Sequence, residues 1–233
     1  MQLYSLILEP VYFLLDLPVI PDIDLGFVIS ATGVASNENF NLIKEAVAKL
    51  IELHGKERVR YSIIVFGDTP TVRLRFSDGF GSEEVMKVFV TGITNTRQGS
   101  ALDKALKKAK DQFDQDGRAH AKKILVVVTD KKSDSSAESV KMAAKSLEKS
   151  GIKVIPIAIG TEADVSELKK ITTNKKNLID ARKPTDANSI AERIVLHALQ
   201  GLIIFRIKCF KLVIRSISLH KIFAFNSILS SAK

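Results

Sequence analysis

The chain has one cysteine, Cys209, and no tryptophan in 233 residues. A single thiol cannot close an internal disulfide, so a disulfide-stapled scaffold is excluded and any bridge needs a second chain. No uncharged apolar run approaches the roughly 18 residues of a membrane-spanning helix, so no transmembrane segment is expected. The sequence holds no G-x-x-x-x-G-K-[ST] phosphate loop, no G-x-G-x-x-G after the first strand and no G-x-S-x-G elbow. Nucleotide hydrolysis and serine-hydrolase chemistry therefore lack their usual signatures. The histidines, His54, His120, His197 and His220, are scattered, and none sits at metal-ligand spacing from a cysteine or carboxylate. What remains is ordinary globular composition, 45% hydrophobic and 26% charged, at a length suited to one domain with appendages.

Acidic residues are missing from one stretch altogether. Residues 201–233 hold Arg206, Lys208, Lys211, Arg215, Lys221 and Lys233 with no acid, giving +6 of the net +9. Residues 1–21 hold Glu9 and Asp16 with no base, giving −2, and residues 22–200 hold 29 basic and 24 acidic groups, giving +5. The excess is thus concentrated in the tail, and the middle has both signs interspersed, which argues against a nucleic-acid-binding face. Segment 1–21 is apolar but broken by Pro10, Pro18 and Pro21. It lacks the basic start and small-residue cleavage site of a secretory signal. Segment 201–233 is rich in Ile, Leu and Phe among its bases, a mixture that can lie on an anionic membrane surface. It has no clean 3.6 period, caps or acidic partners, and is read as lying outside the folded domain. Three lysine clusters stand within the middle: Lys104, Lys107, Lys108 and Lys110; Lys122 and Lys123; and Lys169, Lys170, Lys175 and Lys176. They are read as a solvated face, with a patch for anionic glycans as the alternative. No aromatics interleave them, which weighs against single-stranded nucleic acid.

The middle alternates β-branched runs with helical patterns. Strands are expected at Asp24–Ile29, Arg58–Phe66, Thr71–Phe76, Lys123–Thr129, Ile152–Ile159 and Asn177–Ile179. Helices are expected at Asn39–Leu53, Ser82–Phe89, Gly99–Phe113, Ser135–Lys149, Val165–Ile171 and Ala187–Leu199, with Ser82 and Asp134 as caps. Continuous apolar runs such as KILVVVT suit strands covered on both faces. The fold class is α/β: a doubly wound, mostly parallel sheet with helices on both faces and Thr71–Phe76 as an antiparallel edge strand.

In such a sheet a ligand sits beyond the carboxyl ends of the strands, where strand order reverses. With the first strand central, that point presents Ser30-Ala31-Thr32-Gly33, Asp130-Lys131 and the loop Thr94–Gln98. Hydroxyls and a carboxylate gathered there suit a hard cation, Mg²⁺, Mn²⁺ or Ca²⁺.

Five segments, DIDLGFVISATG, RYSIIVFGDTP, TNTRQGSALDKAL, ILVVVTDKKSD and GIKVIPIAIG, in this order, make residues 22–200 resemble the von Willebrand factor A domain. The resemblance is of the matrilin and non-fibrillar-collagen kind. It implies a Rossmann-like fold and a binding role, not an enzymatic one. It also implies a metal-ion-dependent adhesion site: Asp-x-Ser-x-Ser after the first strand, a Thr before the third helix and an Asp after the fourth strand. On this sequence those positions fall on Ser30, Thr32, Val34, Thr96 and Asp130. Ser30 keeps an oxygen without the charge, and Val34 offers no ligand. Two carboxylates have become one, with Lys131 beside it.

A hard dication is held mainly by carboxylate charge. Removing one anion about 4 Å away costs several kcal/mol at a surface-like dielectric. Even about 3 kcal/mol is roughly two decades of affinity. The expectation is a degenerate site at Ser30, Thr32, Thr96 and Asp130, with no required cofactor and at most weak Mg²⁺, Mn²⁺ or Ca²⁺. Ala31, Gly33, Val34, Arg97 and Lys131 complete the ligand rim. Asp68 and Asp134 are the carboxylates nearest to serving as substitutes, and Asp22 and Asp24 stand at the wrong end of the strand. The implied partner is an extracellular-matrix or cell-surface protein, and anionic glycans are a further candidate. The implied location is outside the cell. Metal-dependent adhesion through a residual site, and an intracellular scaffold of the same fold, stay open as alternatives.

Overall fold

The computed structural model describes residues 21–31, 36–94, 99–183 and 185–198, which form one compact unit. The expectations for 1–20 and 199–233 lie outside the described residues.

Six strands make one sheet: β1 (Ile23–Ser30), β2 (Val59–Phe66), β3 (Thr71–Leu74), β4 (Lys122–Lys131), β5 (Lys153–Glu162) and β6 (Ile179–Ala181). Their order is β3-β2-β1-β4-β5-β6. Every neighbouring pair is parallel except β2–β3, so the short antiparallel strand lies at an edge as expected. β1 is buried along its whole length, which is why Leu25, Phe27, Val28 and Ile29 read as an unbroken apolar run. The strand order reverses between β1 and β4, and their carboxyl ends define the upper rim.

The helices are α1 (Ser36–His54), α2 (Glu83–Thr91), α3 (Leu102–Asp116), α4 (Ala137–Lys149), α5 (Val165–Leu168) and α6 (Ala187–Ala198). α1 packs with α2 and α6, and α3 packs with α4. Leu102, Leu106, Ala109 and Phe113 of α3 join Val28, Ile64, Leu125 and Val127 of the strands and Val140, Ala144 and Leu147 of α4 in one core cluster. Phe113 comes so close to β1 that a Cβ on Gly26 would stand 3.1 Å from its ring. A side chain at position 26 would push this helix away from the sheet. α2 is tied to α1 by charge as well as packing, since Lys44 Nζ donates to the carbonyls of Thr91 (2.7 Å) and Ile93 (3.0 Å). Lysines suit this place, where the last carbonyls of a helix lack partners.

Several element bounds differ from the sequence expectation, each for a local reason. α3 starts at Leu102 rather than Gly99, because Gly99 has φ +64°, a left-handed conformation that cannot open a helix. α4 starts at Ala137 with Ser136 as cap, its hydroxyl accepting from the Ser139 N–H at 3.1 Å. Asp134 is not the cap; its N–H instead donates to the Ser100 carbonyl at 3.0 Å. β3 ends at Leu74, and Phe76 reaches the core from beyond the strand. α5 is only one turn, capped by Asp164. A 3₁₀ turn at Lys175–Asn177 displaces the last strand to Ile179–Ala181.

Candidate functional site

β1 and β4 deliver the rim residues. Position 30 ends β1 beside Phe66, and the Ala31 N–H still donates to the Phe66 carbonyl at 2.9 Å, so the strand holds its register up to the rim. β4 runs on through Asp130 and Lys131, which the sequence reading placed in a loop. Ser30 is 5% exposed. Its hydroxyl donates to Asp130 Oδ1 at 2.7 Å, so the structure brings together two of the sequence-predicted ligands, 100 residues apart in the chain. Ala31 is fully buried and offers no contact surface. Its place in the ligand rim is therefore corrected: its small side chain fills the core under the rim. Lys131 turns toward Asp134, 3.9 Å away, rather than toward Asp130. Thr32, Gly33, Val34, Thr96 and Arg97 lie outside the described residues.

The loops behind the rim are latched together. The Ala101 N–H donates to the Gly67 carbonyl at 2.8 Å, joining the β2–β3 turn to the start of α3. Asp68 lies against Gly99 so closely that a Cβ there would stand 1.6 Å from Asp68 Oδ1. The Ser133 hydroxyl donates to the Ser100 carbonyl at 2.9 Å, and the Ser135 hydroxyl donates to Asp103 Oδ1 at 2.5 Å. On its other side, the Ser133 N–H donates to Glu167 Oε2 at 3.0 Å. Glu167 is buried, and loss of water pushes its carboxyl above the usual glutamate range. From sequence this glutamate is one of the acids interleaving the lysine clusters of a solvated face; nothing in its local pattern marks it as buried. The hydroxyls of Ser100 and Thr129 are buried beside the rim with no hydrogen-bond partner among the described residues.

This arrangement tests whether a dication would be held. Around Ser30 and Asp130, the described residues supply one carboxylate, a hydroxyl already hydrogen-bonded to it, and neutral hydroxyls nearby. Neither expected substitute reaches them: Asp68 is pressed onto Gly99, and Asp134 is paired with Lys131. Among the described residues no group of three or more His, Cys, Asp or Glu side chains converges. The described donors do not fit a charge-held hard cation.

At the other end of β1 the charges close on themselves. Asp24 is fully buried, and Arg118 Nε stands 2.8 Å from its Oδ1. The Arg118 N–H donates to the other carboxylate oxygen at 2.6 Å. Asp22 joins Arg118 at 3.1 Å and His120 at 3.0 Å. The His120 contact and the Arg118 charge hold the Asp22 carboxyl below its ordinary value. His120, which the sequence does not set at metal-ligand spacing from any carboxylate, is an exposed member of this ion-pair cluster.

The family model for the von Willebrand factor type A domain matches residues 24–193. The collagen alpha-4(VI) chain of Mus musculus is 25% identical over 154 residues, which are 65% of this chain and 6% of that one. Proximal thread matrix protein 1 from the mussel byssus, in a structure described as having a zinc-occupied MIDAS motif, superimposes with a TM-score of 0.67 at 19% identity. That match covers 76% of this chain and 48% of the byssus protein. The manganese-loaded TRAP protein of Plasmodium vivax superimposes with a TM-score of 0.63 at 17% identity, covering 76% and 73%. These structural likenesses establish the fold. The chain spans under a tenth of the collagen chain and about half of the byssus protein.

Proposed function

This chain belongs to the von Willebrand factor type A family, and from that premise we propose a non-catalytic protein-binding module of the extracellular-matrix or adhesion type. Its rim engages partner proteins without a tightly held metal. The observation that carries this reading is the Ser30–Asp130 hydrogen bond of 2.7 Å. Two carboxylates facing one another here would repel and call for a cation between them. A hydroxyl facing a carboxylate satisfies itself. The collagen relative and the byssus matrix protein support an extracellular location and protein partners from the matrix.

The fold-level likeness to zinc- and manganese-bearing domains favours a second reading. In it Thr32 and Thr96 join Asp130 to hold a weak dication, and adhesion depends on metal. Thermal unfolding separates the two. The chain is heated in EDTA and then in about 5 mM Mg²⁺, Mn²⁺ or Ca²⁺, beside the double variant Ser30→Asp/Val34→Ser. A ligand that binds only the folded state raises the midpoint by mass action. The proposal expects no shift in the parent and a clear shift in the variant. A parent midpoint that climbs with metal, and no longer does so in Asp130→Ala, establishes the second reading instead.

A further inference from the structure

The +5 of residues 22–200 is not spread over the domain. α4 carries Lys141, Lys145 and Lys149 against Glu138 and Glu148, a sum of +1. Residues 168–178 carry Lys169, Lys170, Lys175 and Lys176 and no acid, a sum of +4. These two stretches account for the whole excess, and the other residues between 22 and 200 sum to zero.

The fold brings the two stretches together. Lys141 and Lys145, one helical turn apart, and Lys170, from the segment after α5, line one cavity of about 250 Å³. Glu148 is the one acid on its wall, and Ile152 and Val154 at the start of β5 form part of its apolar base. Two of the four lysines on α3 have acidic partners on their own helix. On α3, Lys107 lies 4.0 Å from Asp103 and Lys110 is paired with Asp114. Among the described residues, Lys141, Lys145, Lys169, Lys170, Lys175 and Lys176 form no ion pair. Like charges gathered without counter-charge repel one another, and a polyanion relieves that repulsion.

The residue types narrow the class. Neither stretch contains an arginine, so the planar fork suited to two-point recognition of carboxylate or phosphate is missing. Neither contains an aromatic ring on which a base could stack. Lysines on flexible stems read density of charge, which a chain of sulfate esters supplies. We propose that the cavity between α4 and residues 168–178 is a binding site for a sulfated polysaccharide. It stands at the amino end of β5, away from Ser30 and Asp130 on the rim. Its occupation is thus independent of the protein-binding role, and either can fail alone.

Heparin is the probe, and the whole chain is used. Residues 201–233 add six bases of their own, so two variants of equal charge change are compared. One is Lys141→Ser/Lys145→Ser/Lys170→Ser, and the other is Lys104→Ser/Lys107→Ser/Lys108→Ser on α3. The first is expected to bind about tenfold more weakly near 0.15 M salt, with the slope of log K against log salt reduced by about two to three. The second is expected to change less than about twofold. Desulfated heparin is expected to lose most of the affinity. In the unaltered chain, heparin is expected to shield Lys141, Lys145 and Lys170 from acetylation, read by mass spectrometry. Equal losses in the two variants, shielding confined to α3 or the tail, or equal affinity for duplex DNA would overturn the proposal.

Discussion

β1 carries Asp24 near one end and Ser30 at the other, and the two ends treat charge differently. At the lower end a fully buried carboxylate is neutralised by the protein's own Arg118, through two direct contacts. At the upper end a hydroxyl meets a half-exposed carboxylate, at 2.7 Å. The lower end is internally complete and fixed by Coulomb attraction in a dry place. The upper end is held by hydroxyl donors and backbone latches. The same strand thus supplies a structural anchor at one end and, in the proposed function, a recognition edge at the other, and the difference lies in which groups face each carboxylate.

The sharpest way to break that contrast is to remove the anchor. Arg118→Ala strands the Asp24 carboxylate without water or counter-charge. The expected loss is about 3–5 kcal/mol of stability, measured by urea unfolding. Asp24→Asn/Arg118→Ala together should recover part of it, because no buried charge is then left over. If Arg118→Ala costs under about 1 kcal/mol, the lower cluster is ornamental and the contrast between the two ends falls.

At the rim the corresponding test is Gly99→Ala. Position 99 combines φ +64° with the contact to Asp68. A left-handed alanine costs about 1–2 kcal/mol, and the clash adds to it. The expected total is about 2 kcal/mol, and Asp68→Ala/Gly99→Ala should restore the clash share but not the backbone share. Calorimetry on the two variants distinguishes them, and a neutral Gly99→Ala would show that the rim latch is loose.

The smallest effect is expected at Glu167. Its carboxyl titrates higher in the folded chain than in the unfolded one because it is buried. The folded state therefore holds the proton more tightly, and stability falls as pH rises upward from about 4.5 through the folded value. Glu167→Gln keeps an acceptor for the Ser133 N–H and removes the titration. Its midpoint should vary less between pH 4 and pH 7 than the parent's, with equal or slightly greater stability at pH 7. Parallel pH profiles for the two proteins would count against a desolvated Glu167.

Most of the fold was legible because its signals are local and repeated. Runs such as KILVVVT need two covering layers wherever they occur, and the α3 stripe of Leu102, Leu106 and Phe113 needs a sheet beneath it. Element ends were less legible. The start of α3 turns on the backbone angle at Gly99, and the cap of α4 on which of several neighbouring serines reaches an N–H. For the site, residue type at Ser30, Val34 and Asp130 was enough to count charge. It was not enough to say what Ser30 does, since a serine reads alike whether it donates to solvent or to a carboxylate. Glu167 gave no warning, because the N–H that its carboxylate accepts from belongs to Ser133, more than thirty residues earlier in the chain.

By itself, then, the sequence determined the alternation of strands and helices, the position of the rim and the shortage of negative charge on it. Those follow from hydrophobic period, turn chemistry and residue type, which act over a few positions. Only the tertiary structure decided that Ser30 faces Asp130, that Arg118 closes on Asp24, and that lysines from α4 and residues 168–178 ring one cavity. Each of those is a meeting of side chains far apart in the chain, made by strand register and helix packing. Coulomb and hydrogen-bond energies depend on that distance in space, which no local pattern contains.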